Sequence, residues 1–183
     1  MTNILSLDPT HPSHARQMAE VLVSGFAHEG EHGWPDMPSA MEEVEEFKEE
    51  GRIVRGAFDG EALLGWIGGI AVYHGHTWEL HPLVVRPDVQ SRGIGRALVA
   101  DFEEQVLQRG GTTVHLGTDD TLGRTTLGGA DLYQNRWAQI DAIRNLNGHP
   151  YEFYLKCGYE ITGVIPDANG PGKPDIFMCK RVG

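Results

Sequence analysis

The chain has 183 residues, with 15 basic side chains against 26 acidic ones and a formal net charge of −11. That length suits one domain, taken as residues 1–183, with a full hydrophobic core, and 40% hydrophobic with 22% charged residues argues against a disordered chain. The acidity argues against nucleic acid as the main partner and is compatible with a cationic substrate. No apolar run reaches the roughly 18 residues of a membrane-spanning helix, so no membrane partner is expected. The start of the chain carries no basic, then apolar, secretory pattern. Cys157 and Cys179 make no disulfide framework and suit a reducing cytoplasm.

Taken in order, residues 3–7 alternate and predict a strand. Residues 13–27 place Met18, Leu22 and Phe26 on one helical stripe. A Gly-, Pro- and His-rich loop at 28–38 precedes Ser39 and Glu42, spaced as a capping box. Met41, Val44 and Phe47 then mark a helix ending near Gly51. Its glutamates at 42, 43, 45, 46, 49 and 50 read as a solvated face. Strands are expected at 53–58, 62–73 and 78–85, the first two joined by Asp59-Gly60. A helix spans 93–109, and 112–116 is a β-branched strand. The polar, Gly-rich stretch 117–130 leads to a helix at 131–146 carrying Tyr133, Trp137, Ile140 and Ile143. Pro150 opens a short helix that Gly158 closes. Strands at 159–165 and 175–181 finish the chain. The order predicts a mixed α/β sheet covered by helices.

The most specific local signal is Val85-Arg86-Pro87-Asp88-Val89-Gln90-Ser91-Arg92-Gly93-Ile94-Gly95-Arg96. A strand runs into a Gly-rich loop and then a helix, an arrangement whose backbone N–H groups and dipole bind phosphate oxygens. It is neither a Walker loop nor a dinucleotide fingerprint. Structural glycines capping a helix are the alternative.

Gln-x-x-Gly-x-Gly after a Val-x-Pro strand end resembles the coenzyme A pyrophosphate loop of the GNAT superfamily of N-acetyltransferases. His149-Pro150-Tyr151-Glu152-Phe153-Tyr154-Leu155-Lys156-Cys157-Gly158-Tyr159 is similar to that superfamily's second motif, and the element order matches from Asn3 to Val182. Trp78 to Val85, Leu116 to Asp120, His149 to Tyr154, Pro166 to Gly170 and Lys173 to Ile176 further resemble the aminoglycoside 6′-N-acetyltransferases of the enterococcal-type branch. The resemblance implies a GNAT fold, a central mixed, mostly antiparallel, splayed sheet flanked by helices. It also implies acetyl-CoA as co-substrate, an aminoglycoside or other cationic amine as acceptor, and a homodimer; His74, His76 and Glu79 show no metal-site pattern, so no metal is expected.

Acetyl transfer to an amine needs deprotonation of the amine, stabilisation of the oxyanion and protonation of the thiolate. Glu79 is expected to face the cleft, either as the base or as a carboxylate that only binds the amine. His81, two residues on, shares its strand face; it assists catalysis, orients substrate or simply packs. Pro82 cannot donate to a ladder, so the strand should be irregular there. The resemblance places the Leu83 N–H at the thioester carbonyl and assigns Leu83, Val84 and Val85 to the cofactor. The same applies to Gln90, Ser91, Arg92, Gly93, Ile94, Gly95 and Arg96. Tyr154 matches the family's general acid and Asn145 its pantetheine-binding amide. Asp119 and Asp120 close a strand at its carboxyl end and would suit a polycation, unless they only build a turn. Asp141, one helical turn before Asn145, is a further substrate candidate. Phe26, Trp34, Tyr73 and Trp78 either stack on sugar rings or pack in the core.

Overall fold

The computed structural model describes residues 3–183. Seven strands and, among the described residues, five α-helices make an α/β fold, an open mixed sheet flanked by helices. The backbone gathers into two compact units. One runs to Val114 and takes in Val182–Gly183; the other is His115–Arg181.

In the first unit, β1 (Asn3–Ser6), β2 (Ile53–Asp59), β3 (Ala62–Val72) and β4 (Thr77–Val85) lie in that order, each antiparallel to its neighbour. Helix α1 (Pro12–Gly25) starts on Pro12, where a missing N–H costs nothing. It buries Ala15, Met18, Ala19 and Leu22. Helix α2 (Met37–Glu46) adds Ala40 and Val44 to the same core, with Phe47 following. Phe47 meets the buried Trp66 ring edge-on, and the Trp66 indole N–H donates to the Met18 carbonyl at 3.2 Å. Helix α3 (Ile94–Gln108) buries Leu98, Phe102 and Val106. It is tied to β2 by a two-pronged Arg55–Asp101 pair at 2.6 and 2.9 Å.

Between β3 and β4 the register shifts, so that Gly68 stands opposite both His81 and Pro82. The irregularity expected at Pro82 is this bulge. A Cβ on Gly68 would lie 2.4 Å from the His81 carbonyl oxygen and 2.4 Å from Phe47. Glycine there lets the backbone of the bulge approach β3.

In the second unit, β5 (Thr113–Asp119, of which the residues from His115 belong here), β7 (Asp175–Arg181) and β6 (Glu160–Ile165) lie in that order, with β6 and β7 antiparallel. Two short helices, α4 (Arg136–Asp141) and α5 (Tyr151–Lys156), complete it.

Three expectations change. The box on α2 is shifted: Asp36 is the N-cap, accepting from the Ser39 N–H at 2.9 Å, and Ser39 is its third-residue partner rather than the cap. The loop at 28–38 contains a 3-10 segment at Ala27–His32. The helix expected at 131–146 shrinks to α4. Residues 124–126 pair with 144–146 instead, through Thr126 N–H to Arg144 O and Leu146 N–H to Arg124 O. Leu132 and Ile140 are the buried residues there, whereas Tyr133 and Trp137 are exposed.

Candidate active site

The candidate residues fall into two sets, one in each unit. In the first unit, β4 alternates strictly in burial. Trp78, Leu80, Pro82 and Val84 point inward, while Glu79, His81, Leu83 and Val85 lie on the other, part-exposed face. The expected sharing of a face by Glu79 and His81 follows from this period of two. Trp78 and the Val84 side chain are core.

His81 has company that the sequence did not show. Its Nε2 lies 3.2 Å from Glu43 Oε1, and the Trp34 ring sits 6.1 Å from the imidazole, centroid to centroid. Trp34 in turn meets Phe26 edge-on at 4.7 Å, and both lean on the hydrophobic core. Burial alone would lower the His81 pKa. The Glu43 contact and the charges of Glu43, Glu79 and Glu46 outweigh it and hold the ring above its ordinary value. Tyr73 stands apart at 76% exposure, with φ 48° in the 3-10 turn Tyr73–Gly75.

The loop after β4 is ready for an anion. Arg86 is held by Asp88 at 2.7 and 3.1 Å, and the hydrogen bonds from Arg86 keep the Asp88 carboxyl below its usual range. Arg92 donates to the Asp88 carbonyl at 3.3 Å. Gly93 caps α3 at φ 86°, a left-handed conformation natural to glycine, and no side chain caps the helix. A Cβ on Gly93 would meet nothing within 4 Å. The first N–H groups of this 15-residue helix thus have no side-chain cap, and the space beside Gly93 is open. Ser91 and Arg96 are exposed beside them, and the buried Ile94 side chain anchors the turn. Gln90 donates to the Val85 carbonyl at 3.0 Å, so this backbone group of a residue assigned to the cofactor is engaged locally. Cradle residues 91–96 fit a pyrophosphate group.

In the second unit, Asp119 and Asp120 part company. Asp119 is exposed at the end of β5, where its carboxylate accepts from Asn169. Asp120 is 0% exposed and accepts from Arg124 N–H (2.6 Å), Thr125 N–H (2.9 Å) and the Thr125 hydroxyl (2.8 Å). Its carboxylate organises residues 121–125 and has no face left for a substrate. The turn alternative holds for Asp120.

Asn145 lies beyond α4, so Asp141 does not sit one helical turn before it. The Asn145 amide donates to the His149 carbonyl and accepts from the His149 N–H, at 2.9 and 2.8 Å. Both ends are engaged locally, which removes the free amide expected to hold pantetheine. Asp141 is exposed.

His149, buried, accepts the Tyr151 N–H on Nδ1 at 3.2 Å. Its Nε2 must then carry the proton that it donates to the Asp119 carbonyl at 3.0 Å. This ring docks the start of α5 against the end of β5. Tyr154, on α5, is buried against Phe153 and Tyr159. Burial first, and the neighbouring Cys157 second, push its phenol well above the ordinary range. It keeps its proton at neutral pH.

Sequence reasoning missed Glu43 and His149. The first was hidden in an acidic run, and the second was read only as part of a motif. No group of three or more metal-ligating side chains is placed to hold an ion among the described residues, and no described helix is long and apolar enough to cross a membrane.

The chain belongs to the acetyltransferase (GNAT) family, whose model matches residues 18–126. Among solved structures it is similar to an aminoglycoside 6′-N-acetyltransferase complexed with coenzyme A, at 42% identity over 99% of this chain and 97% of that one, TM-score 0.90. The aminoglycoside 6′-N-acetyltransferase from Enterococcus faecium matches at the same identity and coverage, TM-score 0.89. An aminoglycoside 6′-acetyltransferase of type Ii matches at 37% over 99% and 97%, TM-score 0.74. Among curated protein sequences none matches.

Proposed function

We propose that this chain transfers the acetyl group of acetyl-CoA to the 6′-amine of aminoglycosides, by direct attack in a ternary complex, and so confers antibiotic resistance. The observation that carries this reading is the 42% identity, over nearly the whole of both chains, to enzymes of that activity. In it, the N–H groups of α3 with Ser91, Arg92 and Arg96 hold the pyrophosphate, and Leu83 and Val85 of β4 face the pantetheine arm. Glu79 receives the ammonium and takes its proton, directly or through water. The free amine attacks the thioester carbon, and the carbonyl electrons move to oxygen beside the Leu83 N–H. Collapse of that oxyanion breaks the C–S bond and the thiolate takes a proton from Tyr154, while the acetylated nitrogen sheds its second proton, which restores the phenol directly or through water. Asp119 and Asp141 offer exposed carboxylates to the remaining amines, and Trp34, Phe26 and Tyr73 offer aromatic surface to the sugar rings. Cys157 and Cys179 carry no acyl group. The working form is a homodimer, as the family resemblance suggests, and two cysteines outside any disulfide suit the cytoplasm.

The test follows coenzyme A thiol release with neomycin and with paromomycin, which carries a 6′-hydroxyl in place of the amine. Rapid release with neomycin and almost none with paromomycin is expected. Release with neither, but with spermidine or a short peptide, would keep the transfer chemistry and overturn the substrate.

A further inference from the structure

Of the six glutamates at 42, 43, 45, 46, 49 and 50, Glu43 is the exception: the other five are exposed. The Glu43 side chain is only 12% exposed. It precedes Val44 and follows Ala40 by three residues, so it sits at the margin of the buried stripe of α2. Its Oε1 is buried and meets its partner as an ion-pair contact rather than a well-aligned hydrogen bond: among the described residues that partner is His81 Nε2, at 3.2 Å. A carboxylate withdrawn from water needs a cationic or donating partner. Here that partner is a ring on the same face of β4 as Glu79, with the Trp34 ring 6.1 Å away.

We infer that Glu43 is a positioning residue acting through His81: by holding Nε2 it turns the Nδ1 edge of the ring toward the acceptor sugar, beside the carboxylate that receives the amine. This rests on the reading of β4 as the substrate-facing strand. With Nε2 engaged, Nδ1 is the ring's free polar atom. While the ring is charged, Nδ1–H is a donor, suited to a hydroxyl or ring oxygen of the sugar and not to its ammonium. That leaves Glu79 as the group for the amine. The charged groups that bear on the ring are Glu43 and Glu46 from α2 and Glu79 from its own strand. Loss of the Glu43 charge therefore lowers the pH at which the ring gives up its proton.

Two substitutions separate the parts of this role. Glu43→Gln keeps an oxygen for Nε2–H and removes only the charge. Glu43→Ala removes both. With Glu43→Gln, the His81 ring, followed by NMR, titrates at lower pH than in the unaltered protein. With Glu43→Ala, KM for neomycin rises about fivefold, as for loss of a part-exposed ion pair. The turnover number and KM for acetyl-CoA stay within about twofold. In a His81→Ala background the Glu43→Ala change adds nothing further, because its effect runs through the ring. An undisplaced His81 titration in Glu43→Gln overturns the proposal. So does an equal rise in KM in both backgrounds. If the unaltered protein fails to acetylate neomycin, the aminoglycoside reading falls, while the NMR titration still decides whether Glu43 governs His81.

Discussion

Residues 86–96 and 117–130 look alike as text. Each follows a strand, each is rich in glycine and short polar side chains, and each reads as a candidate ligand loop. Folded, they behave in opposite ways. The first leaves the start of α3 without a side-chain cap and sets an open space above Gly93. The second turns inward, and Asp120 commits its carboxylate to two backbone N–H groups and a hydroxyl. A polar group is available to a ligand only when its hydrogen bonds are not already satisfied within the chain. Composition does not report that; the path of the backbone does.

Four measurements test this contrast, from the largest expected effect downward. Tyr154→Phe removes a proton that no other part of the second unit is proposed to supply. Its turnover number should fall roughly a hundredfold or more, with acetyl-CoA binding, followed by titration, little changed. A normal turnover number would exclude the acid role. Asp120→Ala strands the donors of the inward-turned loop, and unfolding by urea should show a loss of about 3 kcal/mol. At low temperature the folded fraction should keep near-normal kinetics. If substrate affinity collapsed with stability intact, Asp120 would be a binding residue after all.

Gly93→Ala asks a non-glycine residue to adopt φ 86°. That costs about 1 kcal/mol, and the new methyl would stand in the cradle itself. A severalfold rise in KM for acetyl-CoA with only a small fall in stability is expected; an unchanged KM would move the pyrophosphate elsewhere. The smallest effect is in pH. The His81 pKa is raised in the folded state above its unfolded value near 6.5. Its contribution to stability is therefore full below about 6.5 and lost as pH rises through the folded value. Urea unfolding across that window should show a slight decline that Glu43→Gln flattens.

Much of the frame was legible because its signals are periodic. The period of two along a strand placed Glu79 and His81 together. The strand-loop-helix grammar around Gly93 placed the cradle. What was illegible depended on partners far away in the chain. A run of glutamates on a helix reads as a solvated face, and only the packing of Ala40, Val44 and Phe47 decides which glutamate is drawn in. The expected helix at 131–146 failed because residues 144–146 found backbone partners at 124–126, which no local pattern announces. Its aromatic spacing misled because Tyr133 and Trp137 face outward while Leu132 and Ile140 are buried. Asn145, matched by its position in a motif, proved to be engaged with the backbone of His149.

The absence of a side chain at Gly68 also bears on how this sequence can change over time. The carbonyl oxygen of His81 and the ring of Phe47 each lie 2.4 Å from where a methyl would stand. Even alanine would push on the bulge that carries His81 and on the core beneath α2 at once. Divergence at this position would need matching changes on β4 and at Phe47, so a single replacement has no easy first step. Change is then more readily explored at Tyr73, which is exposed and lies away from the bulge and the core beneath α2.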